Sequence, residues 1–79
     1  MEAADLRRIF AANLRQLASR RRLSLNHLAD RAGMNRASLY RLLGCEVSAT
    51  LATVAKLADV LEVPPRVLID ERTVPTPPV

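Results

Sequence analysis

Apolar residues recur every three or four positions along most of the chain, and polar punctuation divides that recurrence into segments. From about residue 4 to residue 21, Leu6, Ile9 or Phe10, Leu14 and Leu17 fall at helical spacing with arginines between them, which predicts a first amphipathic helix. Ser24 can cap a second helix over about 25–32, and Gly33 supplies the left-handed residue that ends it. Asn35 is the next cap, for a helix of about 36–43 that stops near Gly44. Thr50 can cap a fourth helix through Leu61, with Leu51, Val54, Leu57, Ala58 and Leu61 on one face. Pro64 and Pro65 then open a short fifth helix containing Val67, Leu68 and Ile69, since proline is tolerated at a helix start. From Arg72 onward, three prolines in the last five residues predict a disordered tail over 72–79. The pattern predicts an all-α, five-helix bundle over residues 1–71, with no internal repeat.

Composition narrows the class. Apolar residues are 49% of the 79, but Phe10 and Tyr40 are the only aromatics, so Leu, Val and Ala must build the core. Such a core suits short helices better than a β-sandwich. One cysteine, Cys45, excludes an intrachain disulfide, and one His with one Cys cannot form a structural zinc site. The longest uncharged stretch before the tail, Val47 to Ala55, is far short of the ~20 apolar residues of a membrane span. Asp5, Arg7 and Arg8 interrupt any signal-peptide-like segment, so a cytoplasmic location is expected. The same scarcity of nucleophile, base and clustered carboxylate argues against an enzyme, and 79 residues leave no room for a ligand domain, so no cofactor or small-molecule ligand is expected.

Charge is distributed unevenly. Residues 1–44 carry nine arginines against Glu2, Asp5 and Asp30, whereas residues 45–79 carry a small negative surplus. Arginine is the side chain whose planar fork matches phosphate and guanine, so a polyanion facing the N-terminal half is the first hypothesis. Residues 25–44 make it specific. Two short helices meet at Ala32-Gly33-Met34, and Ala29 lies four residues before Gly33, where crossing helices leave room for a methyl group only. Leu28, Ala32, Met34, Leu39 and Leu42 fall where the pair must turn inward. This is a helix-turn-helix pattern, with the second helix presented outward. On that helix Leu39 and Leu42 share one side, flanked by Ser38 and Leu43, and Arg36, Ala37, Tyr40 and Arg41 take the opposite sector.

The run LSLNHLADRAGMNRASLYRLLGCEVSATLATVAKLADVLEV, Leu23 to Val63, resembles the Cro/cI-type (XRE, lambda-repressor-like) helix-turn-helix family without a gap. With the first helix and the PPRVL segment, the resemblance covers about residues 6–70. It implies a five-helix DNA-binding domain, usually dimeric, whose third helix enters the major groove. Where the family usually has Gln, whose amide contacts the DNA backbone, this chain has Leu25. An Arg–Glu pair common in the family is replaced at both ends, by Ala18 and Leu43, and the usual Gly after the first helix is Arg22. Removing both partners of a buried ion pair can be neutral or stabilising.

These readings yield site expectations. Arg36, Ala37, Tyr40 and Arg41 are candidate base-contacting residues, offering two guanidinium forks, a hydroxyl and a methyl. Ser24, Asn35 and Ser38, with the run Arg20, Arg21 and Arg22, are candidate contacts to the DNA backbone. Too few base pairs are read by one such helix to specify a site in a genome, so a homodimer through Val63, Val67 and Ile69 on an inverted-repeat operator is expected. The leading function is a prokaryotic or phage-type transcriptional repressor. An antitoxin, a restriction-modification controller and a protein-interaction module that does not read DNA remain as alternatives.

Overall fold

The computed structural model describes residues 1–71; the tail expected to be disordered, 72–79, lies outside the described residues. Four α-helices follow one another, α1 Ala3–Arg20, α2 Leu25–Ala32, α3 Arg36–Leu43 and α4 Leu51–Leu61, and a 3-10 helix spans Pro65–Ile69. The expected fifth helix is therefore a single tight turn of another kind. Its opening bond runs from the Val67 N–H to the Pro64 carbonyl, the three-residue spacing of a 3-10 helix rather than the four-residue spacing of an α-helix.

Local chemistry accounts for the boundaries. Ser24 accepts from the His27 N–H, Asn35 from the Ala37 N–H and Thr50 from the Thr53 N–H, so α2, α3 and α4 each begin on a side-chain cap. α2 ends at Gly33, φ 67°, with the Met34 N–H donating back to the Ala29 carbonyl at 3.0 Å. α3 stops at Gly44, as its sequence predicts. Gly44 has an ordinary φ of −81°, and Cys45 is the residue in left-handed backbone, at φ 60°. Arg22 and Glu62 close α1 and α4 in the same left-handed way, at φ 53° and 56°.

Six leucines, Leu14, Leu28, Leu39, Leu57, Leu61 and Leu68, are fully buried, one or two from each element. Each removes roughly 2 kcal/mol worth of apolar surface from water. Ala29 is equally buried, as a close α2–α3 crossing demands, and Ala18 and Leu43 both enter the core. Two expected core positions do not. Leu6 is 39% exposed and Leu51 is 88% exposed, because the first turns of α1 and α4 reach past the core and rim a groove. α1 packs on α3 and on the 3-10 helix, and α2 packs on α3 and α4.

One polar residue joins the core. Asn13, on the inward face of α1, donates through Nδ2 to the carbonyls of Val67, Leu68 and Asp70 at 3.2, 2.9 and 3.0 Å. That amide ties the C-terminal turn to the first helix. Leucine periodicity gave no signal for it.

Candidate nucleic-acid interface

The turn at Gly33 sets α3 across α2, and burial separates the two sides of α3. Leu39, Leu42 and Leu43 face the core, while Arg36, Ala37, Ser38, Tyr40 and Arg41 are exposed. Leu43, placed at the flank by helical geometry, is buried to 5%, so the inward side is wider than the sequence pattern implies. The four candidate base-contacting residues thus share one solvent-facing surface, with Arg36 at the helix start.

Two of them are not free-standing. The Arg36 guanidinium pairs side-on with Asp30 of α2, Nε to Oδ1 at 3.2 Å and Nη2 to Oδ2 at 2.8 Å. The Tyr40 hydroxyl donates to Oδ1 of Asn26, also on α2, at 2.7 Å. Hydrogen bonding to Arg36 holds the Asp30 carboxyl below the usual carboxylate range; partial desolvation opposes the shift, and the charges of Arg36 and His27 add to it. The same contact pushes Arg36 further toward its charged form. Sequence reasoning missed Asn26 and Asp30. The signal was available: Asp30 and Arg36 stand three residues either side of Gly33, and Asn26 and Tyr40 seven either side. Each helix contributes an i, i+4 pair, and the hairpin brings those rows face to face.

The expected backbone contacts are dispersed around this surface. Ser24 and Asn35 spend one acceptor each on their helix caps, leaving the Ser24 hydroxyl hydrogen and the Asn35 Nδ2 group to donate outward. Ser38 borders a shallow depression shared with Arg41, Thr50 and Thr53. In the basic run, Arg21 is bound to Glu62 at the end of α4, Nη1 to Oε2 at 2.5 Å, whereas Arg20 and Arg22 make no ion pair among the described residues. Leu25 packs against the core edge.

The three expected dimer residues are not gathered in one place. Val63 lies beside Ala55 and Asp59, and Val67 is half-buried against the core. Ile69 is 47% exposed and lines an apolar groove of about 200 Å³ with Leu6, Phe10, Leu42, Val47 and Leu51. Among the described residues no cluster of His, Cys, Asp and Glu is placed to hold a metal, and no helix is long and apolar enough to cross a membrane.

Comparison with known proteins gives one family. A sequence family described as "Helix-turn-helix domain" matches residues 9–71, most of the chain. No curated protein matches it significantly.

Proposed function

The chain belongs to this helix-turn-helix domain family, and from that premise we propose that it is a sequence-specific double-stranded DNA-binding regulator of the Cro/cI type, acting as a homodimer that represses by occupying a promoter. The observation that carries the reading is the two-sided character of α3. Its inner row is buried to 5% or less, and its outer row offers Arg36, Ala37, Tyr40 and Arg41 on a helix set across α2 by the Gly33 turn. A helix with guanidinium forks, a hydroxyl and a methyl on its outer side matches the donor, acceptor and methyl pattern of the major groove.

Arg20, Arg22 and the outward groups of Ser24 and Asn35 are the proposed backbone contacts. They add affinity that falls with salt and is indifferent to sequence. Dimerisation is proposed at the apolar face around Ile69, because a second recognition helix is needed to lengthen the site.

Selection from random duplex DNA tests the function. An inverted repeat with half-sites about 10 base pairs apart is expected. Replacing Arg20 and Arg22 by Gln should lower the log–log salt slope by roughly 0.9 per lost phosphate contact, on operator and random DNA alike. Absence of any enriched sequence, with binding no stronger than that of an unrelated basic protein, would overturn the reading.

A further inference from the structure

We propose that Asp30 and Asn26 of α2 are specificity-determining positioning residues, which hold Arg36 and Tyr40 of α3 so that only one chosen edge of each side chain is offered to a base. The inference rests on the DNA-reading role of α3 proposed above and goes beyond it by stating which bases the surface is built to read.

A guanidinium has two edges that can each present a pair of parallel N–H groups: the side edge, Nε with Nη2, and the end edge, Nη1 with Nη2. Asp30 occupies the side edge of Arg36 with both carboxylate oxygens. The end edge remains, and it is the fork that fits the O6 and N7 acceptors of guanine. Asp30 therefore does not compete with the base. It removes the rotational freedom that a lone exposed arginine would lose on binding. Tyr40 is treated in a complementary way. Its hydroxyl hydrogen is committed to Asn26 Oδ1, so the oxygen faces outward as an acceptor. An acceptor matches the exocyclic amine of cytosine or adenine and finds no donor on thymine or guanine in the major groove.

Both contacts are on the surface, so a carboxylate at Asp30 also has a cost. Its negative charge opposes the approach of a polyanion whatever the base sequence. That gives the positioning role a signature that a merely solvated Asp30 would lack, because affinity and discrimination then move in opposite directions.

The test compares binding of the full chain and its variants to the selected site and to single-base variants of it. Asp30→Asn is expected to bind random DNA as well as the parent or better, yet to lose about tenfold in preference for guanine at one base pair. Asn26→Ala is expected to lose preference for cytosine or adenine at a different base pair, by a similar factor. Combining Asp30→Asn with Arg36→Ala should change the guanine preference no further than Arg36→Ala alone, and Asn26→Ala should add nothing to Tyr40→Phe. Circular dichroism of each variant separates these effects from unfolding. If the parent enriches sequences while Asp30→Asn and Asn26→Ala keep every base preference, the positioning role is overturned and the DNA reading stands. If the parent enriches none, the DNA reading fails and takes this inference with it.

Discussion

Arg36 shows how one side chain is constrained by its neighbour across a turn. In isolation an exposed arginine samples many rotamers, and a surface ion pair adds little to stability. The pairing with Asp30 matters here for geometry rather than for energy. It also has a titration signature. Asp30 has its carboxyl held below the usual range, first by the hydrogen bond from Arg36. A depressed folded-state value means the pair's contribution is complete above the ordinary aspartate range and is lost as pH falls through the lowered value. Carboxyl chemical shifts followed through an acid titration check this. Asp30 should titrate below the ordinary aspartate range and return to that range in Arg36→Ala; an unshifted Asp30 in the parent would refute the pairing.

At the scale of elements, the helices are delimited by caps more than by changes in hydrophobicity. Ser24, Asn35 and Thr50 begin them, and left-handed residues close them. Gly33 is the glycine that takes left-handed backbone, at φ 67°. A methyl group there would meet no heavy atom within 4 Å, so the penalty of Gly33→Ala is conformational and not steric. The backbone cost is partly offset by a less flexible unfolded chain, leaving a net loss of about 1 kcal/mol. Urea unfolding of Gly33→Ala measures it, and Gly33→Asn should lose less because asparagine tolerates this backbone region. Equal losses for the two would point to a different cause.

For the molecule as a whole, the C-terminal turn decides how the bundle closes. Asn13 holds it through three carbonyls, of which the Leu68 carbonyl is buried. Asn13→Ala removes that donor and leaves the buried carbonyl unsatisfied, at a cost of about 1–3 kcal/mol. A shift of the urea midpoint with an unchanged slope is the expected result; a midpoint equal to the parent's would show that the amide does not anchor the turn. The same turn carries the proposed dimer face. Ile69→Asp should yield a folded monomer, since Ile69 is 47% exposed, whereas Val67 is half-buried and its replacement would disturb the core as well. Sedimentation at micromolar concentration checks the parent and the variant, with and without DNA. A parent that stays monomeric in both conditions would exclude the dimer.

Leucine spacing and cap residues by themselves determined the four α-helices to within a residue or so, the Gly33 turn and the outward row of α3. Each depends on contacts within a few residues or on a 3.6-residue period, and both are written directly in the order of side chains. Tertiary structure decided what periodicity cannot hold. Leu6 and Leu51 have the right phase but sit where their helices outrun the core, and burial depends on what lies opposite. Asn13 looks like an ordinary polar position until three carbonyls from the far end of the chain arrive beside it. Val63 and Ile69, six residues apart, come to lie in different depressions because the 3-10 turn redirects the chain. Asn26 and Asp30 acquire their roles only when the crossing angle of α2 and α3 sets two i, i+4 rows against each other. A period describes one helix. The meeting of two rows is a property of the pair, fixed by packing across the turn.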